Sequence, residues 1–282
     1  MPEISIDSID DPRLEPYRHL KQRNLTRHSG LFIAEGMRLV QRLLDSDFSI
    51  HSILASPAHA RRIPDEIRQQ VPVYLAPLPL LENVIGFQFH SGMLACGHRK
   101  PGMLLADWLP TGDRPLLIVG CPQVSDPDNL GTLIRTAAAF GADGLMVGKS
   151  TADPFSRRTL RISMGNAFFL PIYESVDFSA DMQQMQQEFG ITAVATLLAP
   201  DARPLSQVQR PPRMLLLMGN EDEGLDPKLA DRSDIRVTIP MAEKIDSLNV
   251  GIAAGIMLHH FTQVSRLEKE EKRNEESGKG SH

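Results

Sequence analysis

Apolar and polar residues fall along this chain in blocks whose spacing separates strands from helices. Residues 31–34 (LFIA) form a short apolar run, and Met37, Val40, Leu43 and Leu44 then recur at helical spacing. Further strand-length runs occupy 50–55, 71–75 and 93–96. The pattern predicts a small α/β domain over residues 1–100. GHRKPG and PTGDRP bracket Met103 to Leu109 and punctuate the chain as a linker would, over 101–113. Beyond it the pattern becomes more regular. Strand-length runs at 116–119, 144–147, 168–172, 192–198, 214–218 and 235–239 are mostly separated by helical segments. Because these runs are apolar on both faces, they predict a parallel sheet covered by helices on each side, an α/β domain over 114–265. The last helix, 248–261, is apolar almost all round and carries Gly251 and Gly255 four apart. Such a helix is expected to be buried, with the glycines allowing close backbone approach. A charged tail, disordered by composition, is expected over 266–282.

Composition changes this picture little. A chain of 282 residues suits two domains, and 41% hydrophobic with 23% charged residues is ordinary for a globular protein. The net charge of −5 speaks against indiscriminate nucleic-acid binding but not against a local basic face. Arg13, Arg18, Lys21, Arg23 and Arg27 crowd one stretch with His19 and His28, and His98-Arg99-Lys100 forms a shorter run. Each is either a solvated surface or an RNA contact. Cys96 and Cys121 lie far apart in or beside apolar runs, which predicts buried thiols and no metal site. With neither a leader-like amino terminus nor a run of membrane-spanning length, the expectation is a cytoplasmic protein with no membrane partner.

Three segments carry candidate chemistry. In NLGTLIRTAAAFG, just after a strand, Asp128 or Asn129 can cap a helix whose stripe is Leu130, Leu133, Ile134, Ala137 and Ala138. Arg135 projects roughly 130° from that stripe at 100° per residue, free to reach a ligand or simply to face water. In MLLLMGNEDEGL, an apolar strand runs into Gly219, with Gly224 five residues later. Bare backbone at a strand end lets a ligand come close, although neither GxGxxG nor GK[ST] is present. In IPMAEKIDSLNVGIAAGIML, Asp246 or Ser247 can cap the last helix. Ser247 and Asn249 place a hydroxyl and an amide beside its positive end.

In order, wording and position at strand ends, these three segments resemble the signature motifs of the SpoU (TrmH-like) RNA 2′-O-ribose methyltransferases of the SPOUT superfamily. TLRISMGNAFFLPI extends the likeness, and FIAEGMRLVQRLL resembles the family's amino-terminal RNA-binding domain. FHSGMLACGHRK departs from the family's frequent Gln-Gly dipeptide there, which bears on RNA binding rather than on catalysis.

The resemblance implies a carboxy-terminal deep trefoil knot, a homodimer, and transfer of a methyl group from S-adenosyl-L-methionine to a ribose 2′-hydroxyl. It places Gly219, Ile239 and Leu248 at the methyl donor, largely through backbone groups. Asn129, Arg135, Glu221, Ser247 and Asn249 match its polar active-site positions, and Arg18, Lys21, Arg23 and Arg27 become the expected RNA contacts. The amino-terminal domain favours ribosomal RNA. A transfer-RNA methyltransferase and a catalytically silent RNA-binding assembly factor are the alternatives.

Overall fold

The computed structural model describes residues 3–18, 20, 29–220, 223–243 and 247–264. It divides into two compact units: Met1–Pro101 with Asp153–Phe169, and Gly102–Ala152 with Leu170–His282.

The first unit contains a five-stranded sheet in the order β1-β4-β3-β5-β2. Its strands are β1 (Ile4–Ser5), β2 (Leu31–Glu35), β3 (Ile50–Ala55), β4 (Val73–Leu75) and β5 (Met93–His98). The β1, β4 and β3 strands run parallel, while β5 lies antiparallel to both β3 and β2. Ile33, Leu54, Leu81, Phe89 and Leu94 pack in one core with the fully buried Tyr17. The Tyr17 hydroxyl donates to the Ser52 carbonyl at 2.9 Å, which satisfies the phenol away from water.

Nothing in the apolar pattern predicted that residues 153–169, between two strands of the other unit, would belong here. Phe155 and Phe168 each place their rings 5.6 Å from Phe32, and Phe48 closes the cluster. Arg99 pairs with the buried Asp153 at 3.0 Å, and Arg157 with Glu35 at 2.8 Å. The strand expected at 168–172 is also displaced. Gly165 takes a left-handed φ of 73° and opens a 3-10 turn at Asn166–Phe168, so the strand begins only at Ile172.

Several of the basic side chains have intramolecular duties. Arg13 is held by Asp11, and Lys100 by Asp47 at 2.7 Å. Arg18 donates to the carbonyls of Ile9 and Asp11 and lies 3.5 Å from Glu15. Its guanidinium braces a turn, which makes it a weaker choice for RNA than its charge implied. His19, Lys21, Arg23, Arg27 and His28 lie outside the described residues.

The second unit is built on a seven-stranded sheet, parallel throughout, in the order β10-β12-β9-β11-β6-β7-β8. These strands are β6 (Leu116–Cys121), β7 (Gly144–Val147), β8 (Ile172–Glu174), β9 (Thr192–Thr196), β10 (Arg203–Pro204), β11 (Arg213–Leu217) and β12 (Ile235–Thr238). Every residue of β6 and β7 is buried, as runs apolar on both faces require. Two residues of the expected linker, Leu105 and Leu109, are buried. A short helix at Leu105–Trp108 sends Leu105 and Leu109 into the core, and Trp108 stacks on Tyr173 at 5.2 Å.

Two helices frame the site. Pro127–Ala139 buries Leu130, Leu133, Ile134 and Ala137. Its N-cap is Asp126, which accepts from the Asp128 amide, rather than either residue expected. Pro127 at the first helical position shifts the start two or three residues earlier, since its missing N–H costs nothing there. The last helix, Val250–His259, continues into a π-helical turn at His260–Val264. It is not buried all round: Ile252 and Ile256 are 57% and 39% exposed. Cys96 and Cys121 are buried free thiols, and burial pushes Cys96 up to about 12.

Candidate active site

Three strands of the parallel sheet, β9, β11 and β12, end beside one another, and a cavity of about 500 Å³ opens beyond those ends. Ligands of open α/β sheets bind on this side because the strand-to-helix loops there can be varied without disturbing the sheet. Thr196 to Leu198 line it after β9, Met218 to Asn220 after β11, and Ile239 and Met241 after β12. Ser247, Leu248, Val250, Ala253 and Met257 close it from the last helix and its approach. Gly219, Ile239 and Leu248, drawn from separate stretches of sequence, therefore share one cavity wall.

Gly219 has a steric reason to be glycine. A Cβ there would fall 2.6 Å from the Gly224 carbonyl carbon and from the Leu225 amide nitrogen. Both obstacles are backbone, so neither can swing aside. The chain doubles back between them: the Asn220 amide donates to the Gly224 carbonyl at 2.7 Å, and the Gly224 amide donates back at 3.0 Å. Gly224 accommodates this with a φ of 73°. Asn220 then anchors the loop, its side-chain amide donating to the Gln123 carbonyl at 2.9 Å. Sequence reasoning passed over Asn220, although an amide between a strand-end glycine and an acidic pair is a usual turn residue. Glu221 lies outside the described residues.

At the last helix the N-cap is Asn249, not Asp246 or Ser247. Its Oδ1 accepts from the amides of Gly251 at 3.0 Å and Ile252 at 3.3 Å. Its Nδ2 donates to Asn129 Oδ1 at 2.8 Å, which joins the first and third segments. Gly251 allows the two helices this proximity, since a Cβ there would sit 2.6 Å from Thr132 Cγ2. Gly255 has no such duty: its nearest neighbour would lie at 3.9 Å, ordinary contact. Ser247 is exposed at the cavity wall. Arg135 is exposed on its helix and does not line the cavity.

Among the described residues no group of three or more His, Cys, Asp or Glu side chains is placed to hold a metal ion. None of the described helices is long and apolar enough to cross a membrane.

Residues 116–259 match the family model of the SpoU rRNA Methylase family. The chain belongs to that family. Residues 11–84 match a second model, the MRM3-like substrate binding domain. An uncharacterized tRNA/rRNA methyltransferase of Mycobacterium bovis is 32% identical over 90% of this chain and 90% of its own length. The 23S rRNA (guanosine(2553)-2′-O)-methyltransferase RlmP of Bacillus subtilis is 28% identical, covering 91% of this chain and 98% of its own. Among solved structures, the AdoMet-bound rRNA methyltransferase of Sinorhizobium meliloti superposes with a TM-score of 0.79 at 30% identity, over 90% of this chain and 95% of that one. This SpoU family member thus shares its α/β architecture with an experimentally determined, donor-bound relative.

Proposed function

We infer that this chain transfers a methyl group from S-adenosyl-L-methionine to a ribose 2′-hydroxyl of RNA, with ribosomal RNA as the substrate class. The single observation that carries the reading is the meeting of Gly219, Ile239 and Leu248 in one cavity at the carboxyl ends of parallel strands. That cavity fits the donor. Met218, Leu225, Leu248 and Met257 offer apolar surface for a flat base, and Thr196 and Ser247 bring hydroxyls for polar groups. At Gly219 the missing side chain lets the Gly224–Leu225 backbone come close, and backbone of both segments lines the cavity. When bound, the donor supplies an electrophilic methyl group on a positively charged sulfur.

The chain's own residues must position the attacking oxygen and accommodate its proton. A neutral hydroxyl is a poor nucleophile, so alignment with the carbon–sulfur bond and removal of the proton carry most of the task. Arg135 is a permanent cation and a poor base, but its planar fork suits a phosphate. It grips the phosphate beside the target ribose, and that phosphate or a water takes the proton. Ser247 and Asn249 orient the hydroxyl, Asn129 holds the Asn249 amide, and Glu221 orients Arg135. Lys21, Arg23 and Arg27 give phosphate contacts to the RNA backbone.

The enzyme acts in the cytoplasm as a homodimer, its carboxy-terminal region tied in the family's trefoil knot. Exposed Ile252 and Ile256 on the last helix support a partner on that face. Incubation with donor carrying a labelled methyl group, separately with unmodified ribosomal and transfer RNA, tests the reading. Label alkali-stable at one nucleotide of ribosomal RNA is expected. Donor binding without label in either RNA would leave only the silent assembly factor.

A further inference from the structure

One basic, aromatic surface of the amino-terminal unit has no part in the catalytic reading. The helix Met37–Leu44 and the stretch 157–169 contain five arginines between them and no acidic residue. These two stretches pack together: a Cβ on Gly165 would lie 3.0 Å from Leu39 Cδ2 and 3.2 Å from Arg42 Cδ. Arg42 donates to Asn166 Oδ1 at 2.8 Å, and Asn166 donates in turn to the Ser163 carbonyl at 2.8 Å. So fixed, the Arg42 guanidinium lies over the ring of Phe169, 4.7 Å from its centroid. Yet Phe169 is 47% exposed.

A large apolar ring held against solvent, backed by a cation that is itself hydrogen-bonded in place, is a poor choice for stability alone. Arg38 lies one helical turn before Arg42 and is exposed, as is Arg161 on the neighbouring stretch. Glu35 is paired with Arg157 and Asp153 with Arg99, while Asp45 keeps its charge and accepts from Gln41. With Arg38, Arg42 and Arg161 against Asp45, the surface is cationic on balance and carries one exposed aromatic face. Unpaired nucleotides need that combination, because every base can stack on a ring while its phosphates meet arginine.

We propose that Phe169, backed by Arg42, is a stacking platform for an unpaired base of the RNA substrate, with Arg38 and Arg161 taking the flanking phosphates. The proposal rests on the reading of this chain as an RNA-modifying enzyme. It adds a preference for single-stranded RNA at a surface outside the methyl-transfer site.

The test uses the full-length protein with two fluorescent probes, a mixed-sequence single-stranded oligoribonucleotide and a duplex of equal length. Phe169→Ala should weaken binding of the single strand roughly ten- to hundred-fold, the range for loss of one stacked base. Phe169→Trp should restore it, whereas Phe169→Leu, apolar but without a π face, should not. Arg38→Gln with Arg161→Gln should lower the slope of log affinity against log salt by roughly one to one and a half. Donor affinity and unfolding temperature should be unchanged in all of these variants. Equal single-strand affinity in wild type and Phe169→Ala would overturn the platform and leave the methyltransferase reading intact. Equally, a protein partner as the true occupant would show as unchanged RNA affinity. Failure of the wild type to bind either probe would count against the functional reading itself, and the platform would fall with it.

Discussion

Asn249 donates its side-chain amide to Asn129 Oδ1 at 2.8 Å, across 120 residues of sequence. The same side chain accepts from the Gly251 and Ile252 amides and so begins the last helix. One residue thus starts a helix and ties it to a neighbouring one, and the two duties use different atoms.

That division makes the duties separable. Asn249→Asp keeps an acceptor at the helix start, where negative charge is favoured, but loses the donor to Asn129. It should unfold near the wild-type temperature and methylate RNA slowly. Asn249→Ala loses the cap as well, at a cost of about 1 kcal/mol, and should unfold a few degrees lower. Calorimetry and single-turnover methylation check the pair. Equal loss of stability in both variants would show that the bond to Asn129, not the cap, holds the helix.

Gly251 sets how closely the two helices approach. Gly251→Ala drives a methyl group to 2.6 Å from Thr132 Cγ2, and overpacking of this kind costs about 1–3 kcal/mol. Thr132→Ser removes that carbon while keeping the hydroxyl bonded to the Asp128 carbonyl at 2.8 Å. The double variant should recover much of the lost stability. A double-mutant cycle in urea measures this, and strictly additive costs would place the strain elsewhere.

What the sequence revealed, and what it hid, follows from the range of the forces involved. The strands of the parallel sheet were legible because continuous apolar runs such as 116–119 have few other stable fates. The cavity was legible through Gly219, where chain reversal imposes a local steric demand. Caps were not. Asp246, Ser247 and Asn249 can all cap, as can Asp126, Asp128 and Asn129, and only the geometry of the helix start selects one. The solvent face of the last helix was hidden because a segment apolar on every side carries no period from which to read orientation. Least legible was the recruitment of residues 153–169 to the first unit. It depends on pairs such as Phe32 with Phe155, which no local pattern links.

That recruitment has a testable energetic consequence. Asp153 is 1% exposed at its side chain and faces Arg99 at 3.0 Å. Removing one partner of a buried pair leaves the other charge without compensation, typically at about 3–5 kcal/mol. Arg99→Ala should therefore lower the unfolding temperature well beyond what Lys100→Ala does, since Lys100 meets Asp47 at the surface. Similar shifts for both variants would show that Asp153 finds another counter-charge or water.

Asp11 offers a check by pH. Hydrogen bonds from the Arg13 side chain and backbone hold its carboxyl at about 2, below the ordinary 3.8. A carboxylate with a lowered folded-state value stabilises the fold above its unfolded value, and the contribution fades as pH falls towards the folded one. The stability gap between wild type and Asp11→Asn should thus be fully open near neutrality and narrow progressively between about pH 4 and pH 2. A gap that stays constant over that window would mean that Asp11 contributes little as a charge.

Arg135 gives the sharpest test of the mechanism. It is exposed on the Pro127–Ala139 helix, opposite the buried stripe, so truncating it should barely change the unfolding temperature. It does not line the donor cavity, so donor affinity should also hold. If its planar fork clamps a phosphate, Arg135→Lys keeps the charge and loses the paired geometry. The lysine variant should retain more RNA affinity than Arg135→Ala. Both should lose about a hundred-fold or more in turnover, because a misplaced ribose forfeits alignment with the methyl group even when bound. Single-turnover methylation at saturating RNA and donor separates this loss from weak binding. Near-normal turnover in a folded Arg135→Ala protein would remove the arginine from the mechanism and leave proton removal to the groups around Asn249.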